Sequence, residues 1–294
     1  MKSPAFDYVR ATSAQHALAL LAQHGPDACL LAGGQTLLAT LNMRLSQPAL
    51  VVDIGDLQQL AGITVAGKTL RIGALTRHVD VELSPLVALH APLLSQAAPH
   101  IAHPAIRNLG TFGGALAYAD PAAEWPACVV ALHGTVVLLG AGGERRVPAA
   151  DFFQGVYTTA RRDDELLLAC ELPVCGAGER QHFSELARRH GDYAIAGLAA
   201  CAKVQGTGEA AVLSELRLVF LSLGDRPVRA HAAEAVLQGT PLTAALVARA
   251  DAALRAELDP YADLTHSAAT KKQLAATLMR RALTALTAPT QEPT

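Results

Sequence analysis

The sequence is poor in cysteine, and its few cysteines are not arranged to hold metal. Cys170 and Cys175 are the closest two, and Pro173 separates them. No two cysteines have the Cys-x-x-Cys spacing of a zinc or iron–sulfur site. We therefore expect reduced, partly buried thiols and no metal ligands in this chain, so that any iron–sulfur cluster would belong to a partner. The 294 residues contain five cysteines: Cys29, Cys128, Cys170, Cys175 and Cys201.

The chain also lacks an excess of charge and a long apolar run. Its formal net charge of -2 gives no electrostatic attraction for nucleic acid, whose binding domains are basic. A transmembrane helix needs ~20 apolar residues in a row, and no run is that long. The first residues lack the apolar stretch of a secretory signal, which makes a cytoplasmic location the default expectation. Hydrophobic residues make up 51% of the chain, enough for a sizeable core.

The first part of the chain has the pattern of alternating helices and strands. Thr12 and Gln15 have the spacing of a capping box, which predicts a helix that starts after Thr12 and stops at Gly25. Thr76 is predicted to cap a later helix. Small residues are so frequent in Asn108–Glu124 that we expect no regular core element there. Apolar strands are predicted at residues 29–32, 50–54, 70–74, 135–139 and 166–172.

The last third of the chain has a different order of predicted secondary structure. Strand-like runs at residues 194–204 and 216–223 precede three helical stretches, and strands followed by helices indicate an α+β domain. A chain of this length commonly forms more than one domain. We predict two N-terminal subdomains and a C-terminal domain, at residues 1–56, 57–175 and 179–288.

A first candidate site is the segment from Ala32 to Thr36, between a strand and a possible helix at residues 37–45. Gly33 and Gly34 let backbone N–H groups approach an anion closely, and a helix start adds positive partial charge. The segment is not G-x-G-x-x-G and has no Walker lysine, so the Rossmann and P-loop types do not apply. Two glycines after a strand also suit an ordinary turn, and both interpretations stay open.

A second glycine pair lies between Thr111 and Glu124. Such small side chains let a loop wrap closely around a cofactor, while Asp120 and Glu124 accept hydrogen bonds from hydroxyl groups. A tightly packed buried loop is the alternative. Two glycine pairs in one chain favour a diphosphate ligand with a long body. Tyr193 is a third candidate, because a tyrosine beside small residues can stack on a flat ring; a tyrosine at a strand edge is its alternative.

In this order, these segments resemble the FAD-binding medium subunit of the molybdenum hydroxylases, which include the aerobic carbon monoxide dehydrogenases and the xanthine dehydrogenase type. The similarity covers nearly the whole chain. It implies an α+β chain with a two-subdomain α/β FAD-binding fold of the vanillyl-alcohol-oxidase type, followed by a C-terminal α+β domain with an antiparallel sheet and helices. The segments that carry the resemblance are residues 32–38, 72–78, 103–108, 111–124 and 188–197.

The resemblance also implies which residues bind FAD. The two glycine loops grip the pyrophosphate, Ile101 and Tyr193 lie beside the isoalloxazine, Glu124 lies near the FAD hydroxyls, and Leu167 lies near the adenine. Some members place a lysine near the flavin where this chain has Glu185, a departure that bears on how it handles NAD. The implied cofactor-binding residues are Ala32, Gly33, Gly34, Gln35, Thr36, Leu37, Ile101, Thr111, Gly113, Gly114, Ala117, Asp120, Glu124, Leu167 and Tyr193.

The resemblance implies an electron-transfer subunit with no acid–base catalyst of its own. A large molybdenum-cofactor subunit and a small subunit with [2Fe-2S] clusters would be its partners, in a dimer of heterotrimers, and FAD here would pass electrons to an external acceptor. One alternative is a self-contained flavin oxidase of the vanillyl-alcohol-oxidase type, for which neither a substrate-capping segment nor a covalent-flavin motif is evident. Another is a non-catalytic FAD scaffold or sensor. Nothing in this chain identifies the substrate.

Overall fold

The computed structural model describes residues 2–289, and its first layer is a small parallel sheet. Strands β1 and β2 both pair in parallel with β3, in the order β1-β3-β2. The elements in chain order are β1 (Asp7–Arg10), α1 (Ala14–His24), β2 (Ala28–Leu31), α2 (Leu37–Asn42), β3 (Leu50–Asp53), β4 (Ile63–Ala66), β5 (Thr69–Gly73), α3 (His78–Leu83), α4 (Pro85–His90), α5 (Pro92–Ala97), α6 (Pro104–Arg107), α7 (Phe112–Tyr118), α8 (Glu124–Ala131), β6 (Thr135–Gly140), β7 (Gly143–Pro148), α9 (Ala149–Phe152), β8 (Phe153–Gly155), β9 (Thr158–Thr159), β10 (Leu166–Pro173), β11 (Glu179–Leu186), β12 (Ala196–Gln205), β13 (Val212–Leu221), β14 (Val228–Arg229), α10 (His231–Leu237), α11 (Ala244–Glu257) and α12 (Ala268–Thr287).

Two helix starts differ from the sequence-based expectation. Helix α1 is capped by Ser13, whose side chain accepts from the His16 amide at 3.0 Å, one residue later than predicted. Helix α3 has Arg77 as its N-cap. The Thr76 hydroxyl is used instead by the backbone of Gly62, at 3.0–3.1 Å. A hydroxyl residue near a helix start therefore caps it only when no tertiary partner competes for the side chain.

The second layer is an antiparallel sheet in the order β4-β5-β10-β6-β7, with helices α3 to α8 inserted between β5 and β6. The inserted segment contains α7, so the prediction that Asn108–Glu124 holds no regular core element was wrong. Thr111 caps α7 by accepting from the Gly114 amide at 3.2 Å. Phe112 and Leu116 are fully buried. Capping and burial thus outweigh the low helix propensity of the two glycines.

In the C-terminal sheet, β11-β12-β13-β14, strands β12 and β13 are largely buried on both faces. Alternate side chains of β12 enter different cores: Ala199 and Cys201 pack with α5 and α8, while Ala200 and Ala202 pack with α10, α11 and α12. Burial on both faces accounts for the nearly continuous apolar runs of β12 and β13. The sheet thereby fixes the loop before β12 against the first two layers.

No helix among residues 2–289 has the length and apolar character needed to cross a membrane.

Candidate functional site

A cleft of about 450 Å³ lies where the two N-terminal layers meet the loop between β11 and β12. Its size is within the usual range for cofactor sites. The residues implied by the resemblance come together around it, although they are far apart in the chain. All fifteen line the cleft: Ala32, Gly33, Gly34, Gln35, Thr36, Leu37, Ile101, Thr111, Gly113, Gly114, Ala117, Asp120, Glu124, Leu167 and Tyr193.

The first glycine loop presents unused hydrogen-bond donors to the cleft. Within residues 2–289, none of the amides from Gly33 through Leu37 donates a hydrogen bond to another group. Gly34 has φ +71°, which suits glycine. Gly33 is needed for close packing, since a Cβ there would lie 2.2 Å from the Leu109 carbonyl oxygen. A run of unpaired amides is a concave anion site, so this loop fits a diphosphate.

The second glycine loop is bonded internally. The Gly113 amide donates to the Ala74 carbonyl at 2.9 Å, and the Gly114 amide donates to Thr111 Oγ1. A Cβ on Gly113 would lie 2.6 Å from Ala74 Cα, and one on Gly114 would lie 2.6 Å from Thr111 Oγ1. These glycines let α7 approach strand β5 closely and close the cleft wall, and their amides are not free for phosphate.

Acidic and phenolic side chains form the wall that follows α7. Burial, with Glu185 and Asp120 nearby, raises the pKa of Glu124 to about 8. Burial also raises the pKa of Asp120. Burial, with Tyr157 and Asp120 nearby, raises the pKa of Tyr118 to about 12. Glu124 therefore carries a proton at neutral pH in the free chain and can exchange hydrogen bonds with a hydroxyl group as donor or acceptor.

Tyr193 reaches the cleft mouth from the C-terminal domain and is 73% exposed. The preceding turn fixes its position: Gly191 has φ +84°, and a Cβ there would lie 2.6 Å from the Ala102 carbonyl oxygen. Ile101, next to Ala102, is 9% exposed and lines the same cleft. The two residues expected beside a flavin ring thus lie on segments that pack against each other.

Several residues that line the cleft are not among the fifteen expected FAD contacts. His78 lies beneath the second glycine loop, where Trp125 Nε1 donates to its Nδ1 at 2.9 Å. Burial, and then Arg107, lower the pKa of His78 to about 4, so its ring is neutral. Arg161 and Cys29 line the cleft near Leu167. Cys29 and Arg161 lie outside the segments that carry the resemblance, and only the tertiary fold brings them to the site.

Glu185, at the position where some family members have lysine, is not in the cleft lining. It is on β11 with a side chain only 4% exposed, and its Oε1 is 3.4 Å from His100 Nδ1. It still acts on the cleft, because its charge contributes to the raised pKa of Glu124. The departure from lysine therefore places a buried carboxyl group behind the cleft wall.

Two known protein families match this chain, one over each part of it. Residues 4–175 match the family described as FAD binding domain in molybdopterin dehydrogenase. Residues 181–286 match the family described as CO dehydrogenase flavoprotein C-terminal domain. The chain belongs to this flavoprotein family. The expected FAD-binding fold and C-terminal domain are confirmed, with FAD as the cofactor of an oxidoreductase subunit.

Individual relatives match over nearly the full length of both chains. The 6-hydroxypseudooxynicotine dehydrogenase complex subunit alpha of Paenarthrobacter nicotinovorans is 40% identical, with 96% of this chain and 95% of that protein covered. Caffeine dehydrogenase subunit beta of Pseudomonas sp. (strain CBB1) is 39% identical, with 96% and 95% covered. Among solved structures, the carbon monoxide dehydrogenase of Hydrogenophaga pseudoflava has a chain that superimposes with a TM-score of 0.92 at 38% identity, with 97% of this chain and 98% of that chain covered.

Proposed function

We propose that this flavoprotein takes electrons from the [2Fe-2S] clusters of a partner subunit and passes them through FAD to an external acceptor. The observation that carries the proposal is the run of unpaired amides from Gly33 through Leu37 in the cleft. Unpaired backbone donors at a cleft wall are available to an anionic ligand, which replaces the water that otherwise solvates them. Bound flavin accepts electrons singly or in pairs, which suits the end of a relay.

The proposal assigns a part of the cofactor to each region of the cleft. The amides of Gly33 to Leu37 bind the pyrophosphate, and Thr111, Gly113 and Gly114 hold the opposite wall. Asp120 and Glu124 bind hydroxyl groups, Ile101 and Tyr193 lie against the ring, and Leu167 lies at the adenine end. The proposed FAD contacts are the residues Ala32, Gly33, Gly34, Gln35, Thr36, Leu37, Ile101, Thr111, Gly113, Gly114, Ala117, Asp120, Glu124, Leu167 and Tyr193.

The partners in this proposal are a large molybdenum-cofactor subunit and a small [2Fe-2S] subunit, assembled as a dimer of heterotrimers in the cytoplasm. The names of the relatives support the assembly, because they are subunits or medium chains of dehydrogenases. Those names also refer to different molecules, including caffeine and carbon monoxide. We infer that the substrate is selected by the large subunit.

We also propose that the chain divides at residues 1–56, 57–175 and 179–288. Each of the three main sheets lies within one of these segments. The division places the cleft at the junction of all three segments, because Gly34, Glu124 and Tyr193 each come from a different one. Such a junction is a common place for a cofactor site.

The test is purification of the chain alone and with its co-expressed partners. We expect one FAD per chain, released into the supernatant by acid precipitation. The flavin absorbance should bleach with the substrate of the complex only when both partner subunits are present. Bleaching of the isolated chain by a small organic donor would favour a self-contained flavin oxidase instead. Flavin retained on the precipitated protein would contradict non-covalent binding.

A further inference from the structure

Arg161 is a positively charged residue that lines the cleft and is not one of the expected FAD contacts. It is half-buried. Among residues 2–289, no acidic side chain forms an ion pair with it, and its Nε and Nη2 donate to no other group. The N–H groups on these two nitrogens are therefore available to a bound ligand.

Hydrogen bonds to the following turn fix the guanidinium of Arg161 in place. Its Nη1 donates to the Arg162 carbonyl at 2.9 Å and to the Glu165 carbonyl at 2.8 Å. The Glu165 carboxylate accepts from the Arg162 amide at 2.8 Å and from Arg145 Nη2 at 2.7 Å, and these bonds hold the turn that carries both carbonyls. A guanidinium that is oriented before binding loses less side-chain freedom when a ligand arrives.

The part of the cleft next to Arg161 is apolar. Leu166 and Leu167 follow the turn that holds the guanidinium, and both are buried residues of the cleft lining. Leu30 and Ile54 also line the cleft, and they pack in the same core as Leu166. A planar cation beside apolar side chains suits the face of a flat aromatic ring, because a guanidinium is weakly hydrated and stacks on such rings.

Strand β2 connects this apolar part of the cleft with the proposed diphosphate loop. Cys29 lines the cleft from β2 and precedes Gly33 by a distance of up to roughly 13 Å, at ~3.3 Å for each extended residue. Gly33 faces the carbonyl of Leu109, on the segment that leads from Ile101 through α6. The diphosphate loop therefore lies between the apolar part near Arg161 and the part expected to hold the flavin ring. In FAD, the flat group on the other side of the diphosphate from the flavin is the adenine.

We propose that Arg161 is a specificity-determining residue, which selects FAD over FMN by placing its guanidinium plane against the adenine. The proposal rests on the FAD function given above. Leu167 contributes apolar burial at this end of the cofactor, and burial alone does not distinguish an aromatic base from another apolar group. The fixed guanidinium adds an attraction to the face of an aromatic ring. With FMN, which has no adenine, Arg161 has no ring to contact.

The test is isothermal titration of the full-length, FAD-free chain with FAD, with ADP and with FMN. Arg161→Met removes the charge and the plane, whereas Arg161→Lys keeps the charge and removes the plane. We expect both variants to bind FAD and ADP about tenfold more weakly than the unaltered chain, within the range of a cation–π contact. FMN should bind the variants and the unaltered chain alike. Arg162→Met is the matched control, because Arg162 is exposed and is not part of the cleft lining, and it should change none of the three affinities.

Full FAD affinity in Arg161→Lys would overturn the proposal, because the charge would then matter and the plane would not, as for a phosphate contact. Undiminished ADP binding by Arg161→Met would overturn it too, since the contact would lie outside the adenine half. A merely structural role would lower the melting temperature without FAD and weaken FAD and FMN binding equally. If Arg161→Met does not fold, the same titrations of Arg161→Lys decide. Failure of the unaltered chain to bind FAD would instead overturn the proposed function.

Discussion

The two glycine loops have similar sequences but use their second glycines differently. In both, the first glycine packs against backbone: a Cβ on Gly33 would meet the Leu109 carbonyl oxygen at 2.2 Å, and one on Gly113 would meet Ala74 Cα at 2.6 Å. The second glycine of the first loop, Gly34, has φ +71° and leaves the following amides unpaired. The second glycine of the other loop, Gly114, is helical, and its amide is bonded to the cap. A glycine pair thus has separable roles in packing and in ligand binding.

The walls that contain the two loops also differ in hydrogen-bonding character. The first loop offers donors, the amides from Gly33 through Leu37. The segment after the second loop offers Asp120 and Glu124, which serve as acceptors when ionised. A ligand with an anionic centre and a hydroxylated chain matches both walls at once. The comparison therefore separates an anion-binding side from a hydroxyl-binding side, and each can be tested alone.

Glu124→Gln, on the hydroxyl-binding side, is expected to change the free energy of unfolding more than any other variant considered below. The pKa of Glu124 rises from 4.5 to about 8 in the folded chain without FAD. Between these values the folded chain holds a proton that the unfolded chain has lost, so stability falls as pH rises through this window. Each pKa unit corresponds to about 1.4 kcal/mol. Above the window, Glu124→Gln should therefore stabilise the FAD-free chain by a few kcal/mol, and below it by almost nothing.

Urea unfolding of the FAD-free chain at a series of pH values measures this difference. Glu209→Gln is the control, because Glu209 is exposed on the turn 208–210 and away from the cleft. It should leave the pH dependence unchanged. Parallel stability curves for Glu124→Gln and the unaltered chain would contradict a buried, proton-binding Glu124.

Substitution of the first glycine should destabilise the folded chain to a similar extent in both loops, so at this position the two loops behave alike. Gly33→Ala and Gly113→Ala each force a methyl group against backbone atoms, and overpacking of this kind costs roughly 1–3 kcal/mol. Urea unfolding without FAD should show the loss in both variants. Gly142→Ala is the control, since a Cβ there has no atom within 4 Å. Equal stability of Gly33→Ala and Gly142→Ala would show that Leu109 moves away freely.

Substitution of the second glycine should affect FAD affinity differently in the two loops. Gly34→Ala places alanine in a left-handed conformation that costs roughly 1–2 kcal/mol, and relaxing that strain misaligns the unpaired amides. It should lower FAD affinity as well as stability. Gly114→Ala crowds Thr111 Oγ1 and should cost about 1 kcal/mol through the weakened cap, with a smaller loss of FAD affinity than Gly34→Ala. Isothermal titration with FAD measures the affinities.

Gly67→Ala is the control for backbone strain alone, because Gly67 has φ +59° and open space around its Cβ position. It should match Gly34→Ala in stability loss and keep full FAD affinity. A similar drop in FAD affinity for Gly34→Ala and Gly114→Ala would mean that both loops bind the phosphates directly.

Sequence reasoning was most successful where a local motif coincides with the site. The glycine pairs, Glu124 and Tyr193 all lie in short distinctive segments, and all line the cleft. It did not assign Arg161 to the site, because a residue that reaches a cleft only through tertiary packing leaves no local pattern. The packing role of the first glycine in each loop could not be predicted either. The residues that face Gly33 and Gly113 are Leu109 and Ala74, which are about 40 to 75 positions away in the chain.

The smallest effect is expected at Tyr193, which belongs to neither loop and reaches the cleft from the C-terminal domain. In the free chain its side chain is 73% exposed, so Tyr193→Ala should leave the melting temperature without FAD nearly unchanged. An aromatic stacking contact contributes roughly 0.5–1.5 kcal/mol beyond area burial, and about 1.4 kcal/mol is a factor of ten in affinity. Tyr193→Ala should therefore weaken FAD binding by up to about tenfold and shift the flavin absorbance maximum.

Tyr261→Ala is the matched control, because Tyr261 is 71% exposed and is not part of the cleft lining. It should change neither FAD affinity nor the flavin spectrum. If Tyr193 served only to pack the domains together, Tyr193→Ala would lower the melting temperature equally with and without FAD and leave the spectrum unshifted. Its high exposure argues against that role, since a side chain that contacts mostly solvent has little packing energy to lose. The unshifted spectrum, rather than the melting temperature, is thus the result that would exclude stacking.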